Sequence, residues 1–258
     1  MASSRISFIL EMTRRDFIER FAGSILGSLW AFIFPLVNLV VYLVVFGKLI
    51  GARLPGTSDM YAYGIYIAVG IIPWTSFAGT INRSTGIFLE KKHIITKLNT
   101  PLPSLFVHVC LSETITFVIS ISLMLLILAV KEHSFHSGYL LLPFVYYLQQ
   151  ILALGIGMFT ASIAVFVRDV RQLMDVILQL WFWFTPIIYV PDILPDFFRK
   201  LMALNPMLYI VDAYHNIFVY NTYPSFKPLI ILTIVSHIIL GLSYMTFRYL
   251  EKDIRDFL

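Results

Sequence analysis

This chain is short of charge and of cysteine. Of its 258 residues only 13% are Asp, Glu, Lys or Arg, while 59% are hydrophobic, well above the roughly 45–50% usual in soluble domains. No polar stretch is long enough to build an independent water-soluble domain, so a single membrane domain over residues 1–258 is expected. With one cysteine, Cys110, an internal disulfide is excluded; the thiol sits in an apolar run, as a packing residue does. There is no Gly-x-x-x-x-Gly-Lys-Ser/Thr loop, no Gly-x-Ser-x-Gly elbow, and no Cys-x-x-Cys or His-Glu-x-x-His spacing. The expectation is a chain without catalytic residues and without a nucleotide site of its own. His93, His108, His133, His136, His215 and His237 are scattered, and the His133/His136 pair has no further ligands beside it, so no metal site is assigned. The first 25 residues lack a continuous apolar core, and a cleavable signal peptide is not expected.

The apolar runs are what remains. About 20 apolar residues cross about 30 Å of hydrocarbon, and this measure picks out spans at 26–50, 61–81, 106–130, 139–167 and 228–247. A sixth, fifth in order, is assigned to 173–190. Its apolar part has only about 15 residues before Pro191, or about 22 Å of helix. Residues 191–227 then combine charges with apolar stretches too short to cross, the pattern of helices that dip into the membrane and return on the same side. Ahead of the spans, Ile6, Ile9, Leu10, Thr13, Phe17 and Phe21 make a helical stripe opposite Ser7, Glu11, Arg14, Arg15 and Glu19. Residues 5–22 therefore read as an amphipathic helix lying in the membrane surface. The fold class expected is all-α integral membrane: six transmembrane helices, this interface helix and re-entrant helices between spans five and six.

The net charge of +4 lies in short clusters between the spans rather than along one face, so nucleic acid is not a partner. With the N-terminus inside, only Lys48, Arg53, Lys131, Arg199, Lys200 and Lys227 of the 19 Lys and Arg residues fall outside, leaving 13 inside. That asymmetry puts both termini in the cytoplasm.

Two polar features stand out from this pattern. Glu113 lies within the third span, where a carboxylate at mid-membrane costs about 2.5–3.5 kcal/mol; a structural pairing, contact with a substrate path and proton coupling all remain open. The inner loop "LEKKHIITKLNTPLPS" is either a solvated connector or a docking helix presenting Glu90, Lys91, Lys92, His93 and Lys97 to a cytoplasmic partner.

The run "VFVRDVRQLMDVILQLWFWFTPIIYVPDILPDFFRKLMALNPMLYIVDAYHNIFV" resembles the second half of type 2 ABC exporter permeases, in particular those exporting O antigen, capsule and teichoic acid. The features that match are the Arg168-Asp169 pair, an aromatic fifth span ending in Thr185-Pro186, a proline-rich turn, and Asn205-Pro206. "FLEKKHIITKLNTPLP" is similar to the family's coupling region, which adds a cytoplasmic coupling helix to the expected fold. The resemblance implies a homodimer with the pathway between subunits, two copies of a separate cytoplasmic ATPase carrying ATP and Mg, a lipid-linked glycan as cargo, and location in the cell inner membrane.

On that reading Trp181, Phe182, Trp183, Phe184, Tyr189, Phe197, Phe198, Tyr209 and Tyr214 offer flat surfaces on which sugar rings slide, with Glu113 near the path. The same aromatics also suit a plain membrane interface. Arg14, Arg15 and Arg20 suit either the carrier's diphosphate or ordinary anionic lipid, and Arg168 and Asp169 form a structural pair with each other or with a neighbouring helix. The alternatives are a drug or lipid exporter of the same type, a proton-coupled secondary carrier using Glu113, and a membrane enzyme.

Overall fold

The computed structural model describes residues 2–49, 54, 61–97 and 101–258, and the side chains of these except 2–5, 97 and 193. The end of the first predicted span at residue 50, Arg53, residues 98–100 of the inner loop and the side chains of Arg5 and Lys97 lie outside the described residues. Among the described residues all regular structure is helical: α1 Ala2–Glu19, α2 Trp30–Val41, α3 Ala62–Glu90, α4 Lys92–Lys97, α5 Pro103–Val130, α6 Leu142–Ala164, α7 Val170–Trp183, α8 Asp196–Met202, α9 Pro206–Phe218 and α10 Phe226–Phe257. A π-helical stretch, Tyr42–Leu49, continues α2, and single 3-10 turns precede α2, α6 and α8.

Five helical segments are long and apolar enough to cross a membrane: Gly27–Leu49, Ala62–Glu90, Pro103–Val130, Ser137–Ala164 and Phe226–Phe257. The segment expected at 173–190 does not reach that length, because α7 stops at Trp183 and its 14 residues span about 21 Å. The stop is chemical. Pro186 has no N–H to continue the ladder, and its ring disfavours helical backbone at Thr185. The Thr185 hydroxyl donates to the Trp181 carbonyl (2.9 Å).

Helix α3 is the axis of the bundle. Its most apolar window is 78% buried, against 17% for that of Gly27–Leu49, and it packs on α5, α6, α7 and α9. In lipid, apolar surface alone does not drive helices together, so close approach and interhelical hydrogen bonds carry the specificity. Both are present. Gly155 and Gly157 on α6 face α10 and α3: a Cβ on Gly157 would lie 2.6 Å from the Ser84 Cβ, and one on Gly155 2.9 Å from Ile239 Cγ2 and 3.0 Å from the Leu240 backbone nitrogen. Between α3, α5 and α6, Gln150 accepts from the Thr80 hydroxyl (3.0 Å) and donates to Ser76 (3.0 Å) and Tyr146 (2.8 Å), and Tyr146 passes its own proton to Thr114 (3.0 Å). Gly157→Val should therefore push α6 off α3 and cost about 1–3 kcal/mol, read as a lower unfolding temperature of the detergent-purified protein, whereas Gly241→Val, where nothing lies within 4 Å of an added Cβ, should leave it unchanged.

Candidate functional site

Three arrangements carry the unusual chemistry, and the first is a closed ring of charge where α1 crosses α3 and α5. Arg83 of α3 donates to Glu113 (2.8 Å) and to Asp16 (2.5 Å). Arg20, just beyond α1, donates to the same Glu113 oxygen (2.7 Å) and lies 3.5 Å from Asp16. Ser112 donates its hydroxyl to Asp16 and receives an Arg20 N–H (3.2 Å). Two carboxylates and two guanidiniums thus neutralise one another, and Glu113, 6% exposed, has both neighbours cationic. Asp16 and Arg20 stand one turn apart at the end of α1, one turn after Thr13, which is buried, whereas Ile6 and Leu10 of the apolar stripe are exposed.

The second arrangement sits at the far end of α7. Asn205 accepts from the Trp181 indole N–H (2.7 Å) and from its own helix at Met207 N–H (3.0 Å), and donates to the Phe184 carbonyl (3.0 Å) and the Thr185 hydroxyl (2.9 Å). One side chain therefore caps the start of α9 and closes the end of α7, with both amide hydrogens and both acceptor sites used. The loop after α7 is held from α3: Tyr63 donates to the Ile188 carbonyl (2.5 Å), and the Tyr66 hydroxyl meets the carbonyls of Pro186 (3.2 Å) and Tyr189 (3.1 Å). His215 of α9 stacks on the Tyr66 ring with centroids 3.6 Å apart. Helix α9 thereby packs on the bundle, against α3 and α6.

The third is the end of α3. Glu90 pairs with Arg171 in the first turn of α7 (2.7 Å), and Lys91 approaches Glu19 at the end of α1 (4.0 Å). Lys92 and His93 are exposed on the short α4.

The remaining sequence-derived residues divide as follows. Of the aromatic set, Tyr214 is wholly buried beside Phe117, Trp181 packs edge-on against Trp74 and Phe77, and Phe182 leans on Trp74. Trp183 (58% exposed), Phe184, Phe197 (72%) and Phe198 face outward. Tyr189 and Tyr209 spend their hydroxyls on the carbonyls of Trp183 (2.6 Å) and Ala203 (2.7 Å). Arg14 and Arg15 are exposed and lie over Glu11 at 3.8 Å and 2.9 Å; the Arg15 hydrogen bond holds the Glu11 carboxyl below its ordinary range. Arg168 and Asp169 are both exposed and enter no ion pair among the described residues; the arginine that bridges is Arg171. His136 is engaged at both ring nitrogens, by the Gly138 N–H (3.1 Å) and the Ile217 carbonyl (3.2 Å). Asp16, Arg83 and Asn205's four bonds have no counterpart in the sequence reading, although Asn205-Pro206 was marked as a motif. The available signal was an arginine, Arg83, just two residues beyond an apolar run.

Five helical segments long and apolar enough to cross a membrane, packed about α3 on close glycine contacts and buried hydrogen bonds, define an all-helical membrane bundle among the described residues. The sequence model of the ABC-2 type transporter family matches residues 8–219, and the chain belongs to that family. Among its relatives, an O-antigen export system permease protein of Myxococcus xanthus is 28% identical over 96% of this chain and 94% of its own length. A Klebsiella pneumoniae protein with the same description is 23% identical over 83% of this chain and 81% of its own length. The polysialic acid transport protein of Escherichia coli is 23% identical over 77% and 76%.

Proposed function

We propose that this chain is the transmembrane permease subunit of an ATP-driven exporter moving a lipid-linked polysaccharide, such as O antigen, across the inner membrane. The observation that carries it is near end-to-end similarity to a permease described as exporting O antigen, on a chain that belongs to the ABC-2 type family. No observation favours a drug or lipid cargo. Proton coupling through Glu113 is disfavoured by the two guanidiniums that hold its carboxylate.

In this proposal two copies enclose the pathway. The support is membership of the ABC-2 type family, and the faces of α2 and α7 that carry the exposed Phe32, Val37, Val40, Leu173, Val176 and Leu180 are the ones assigned to the second copy. Helix α7 supplies a sixth, short crossing whose far side is completed by α8 and α9 as a re-entrant gate, and the outward-facing Trp183, Phe184, Phe197 and Phe198 give the sugar rings their apolar contact. Both termini lie in the cytoplasm. Two copies of a separate ATPase, holding the ATP and Mg, dock on α4 and the adjacent Glu90–Arg171 bridge, so the chain itself needs no cofactor. Arg14 and Arg15, exposed on the surface helix, are placed to attract the carrier's diphosphate, while Arg20 is held in the ring.

Helix α7 is then the strut of the machine. Its first turn is tied to the docking end by Arg171–Glu90 and its last turn to the gate by Asn205, so a rigid-body push at one end reaches the other. The test is reconstitution of the chain with its ATPase in vesicles loaded with lipid-linked polysaccharide, following ATP-dependent movement of glycan to the opposite face; movement of a drug or a plain phospholipid but not of glycan would defeat the cargo assignment. Since Glu90 and Arg171 are about half exposed, the bridge contributes about 0–1 kcal/mol to stability. Arg171→Glu should leave unfolding nearly unchanged yet lower the glycan moved per ATP hydrolysed several-fold, and Glu90→Arg with Arg171→Glu should restore the ratio.

A further inference from the structure

A groove runs between the turn joining α8 to α9, the start of α9 and the first half of α10, on residues other than the four aromatics proposed to contact the glycan. It encloses about 600 Å³ and is lined by Leu204, Tyr209, Lys227, Ile231, Val235 and Ile239 among others. From Lys227 to Ile239 is about 12 residues, or about 18 Å of helix, close to the depth of one leaflet of a hydrocarbon core about 30 Å thick. The lining is apolar along that length, since the Tyr209 hydroxyl is already committed to the Ala203 carbonyl. Polarity is concentrated at the mouth. Lys227 is exposed and makes no ion pair among the described residues, and it sits in the first turn of α10, where the helix dipole disfavours a cation. The N-cap Ser225 makes no side-chain hydrogen bond to that turn, which, Pro228 having no N–H, leaves the backbone N–H groups of Phe226 and Lys227 for an anion. Ile230, Ile234 and Ile238 of α10, each next in sequence to or one turn from the lining residues Ile231, Val235 and Ile239, are exposed and apolar, the surface of a helix that faces lipid rather than water.

We propose that this groove holds one acyl chain of an anionic phospholipid from the leaflet on that side, with its phosphate against Lys227 and the first turn of α10, wedging α9 in place. A leaflet-deep apolar slot with a single unpaired cation at its rim is complementary to such a molecule in length and in charge, while a zwitterionic headgroup lacks the net charge that Lys227 selects.

The experiment uses the full chain in nanodiscs of equimolar phosphatidylglycerol and phosphatidylcholine, extracted gently and examined by native mass spectrometry for retained lipid. The wild type should keep one phosphatidylglycerol per chain, preferred about fivefold over phosphatidylcholine, the discrimination a single lysine at a membrane surface supplies. Lys227→Gln, a surface change that leaves the fold intact, should abolish the preference, and Val235→Trp, which fills the slot, should abolish retention of both lipids at an unchanged unfolding temperature. Equal retention of the two lipids by the wild type, or an undiminished preference in Lys227→Gln, would overturn the proposal. So would displacement of the retained lipid by equimolar polyprenyl phosphate, which would make the groove a seat for the carrier instead.

Discussion

Arg83→Met should lower the stability of the purified protein by about 3 kcal/mol, about 6–12 °C in unfolding temperature. The cost arises because Arg83 bridges two carboxylates, and its loss leaves Glu113 with Arg20 alone and Asp16 with Ser112 and a longer contact to Arg20. The side chains of Glu113 and Asp16 are only 8% and 13% exposed, so water does little to replace the missing partner, and the figure belongs to the buried regime rather than the surface one. The same physics makes a second expectation. Removing opposite charges together, in Arg83→Met with Glu113→Met, should recover most of the loss, because the remaining Asp16 and Arg20 are again balanced. Thermal unfolding followed by light scattering reads both. Equal destabilisation by the single and double variants would mean that packing, not charge balance, is what Arg83 provides. Export assays on Glu113→Gln complete the set: a carboxylate held between two arginines as a structural tie predicts a pH profile of the wild-type shape, whereas a proton-coupling carboxylate predicts its loss.

Asn205→Leu should remove export almost entirely, by tenfold or more, while the chain is still recovered folded from the membrane. Leucine matches asparagine in size but offers none of its four hydrogen bonds. The Trp181 indole N–H and the Phe184 carbonyl are then left without their partner, at about 1–3 kcal/mol for each group that stays buried. Helix α9 also loses its N-cap, worth about 1 kcal/mol. The loss falls at the joint between α7 and α9, so the expected failure is of that joint rather than of the bundle. Asn205→Asp discriminates the bonds further: it keeps the acceptors for Trp181 and Met207 but has no hydrogens for Phe184 and Thr185, and it should retain intermediate export. Transport by the leucine variant at the wild-type rate, with its purified yield unchanged, would show that α7 and α9 need no such pin.

Much of the architecture was legible from apolar run length and proline position. Pro103 opens α5, and Thr185-Pro186 and Asn205-Pro206 mark the end of α7 and the start of α9, because proline's missing N–H and fixed φ act locally whatever the surroundings. The reading went astray where an apolar run and a helix differ. Residues 184–190 are as greasy as a span yet are not helical, and α3 continues as helix to Glu90 although its apolar run ends near residue 81.

The candidate site was legible only in parts. Glu113 was conspicuous as a charge in a span, but its partners Arg20 and Arg83 are 93 and 30 residues away in the chain, and nothing local announces such a meeting. The aromatic quartet Trp181-Phe182-Trp183-Phe184 was visible as a run. The division of two inward and two outward depends on which side of α7 meets Trp74 and Phe77.

Composition, run length and turn chemistry by themselves determined that this chain lives in a membrane as helices, where most of those helices begin and end, and which family it resembles. These are properties of short stretches, governed by transfer from water to hydrocarbon and by backbone sterics. Only the tertiary structure decided which charges neutralise one another, which aromatics remain open and how α7 is pinned to α9. In lipid both faces of a helix are apolar, so periodicity cannot name the packed face. That choice falls to glycine contacts and hydrogen bonds between residues far apart in the chain.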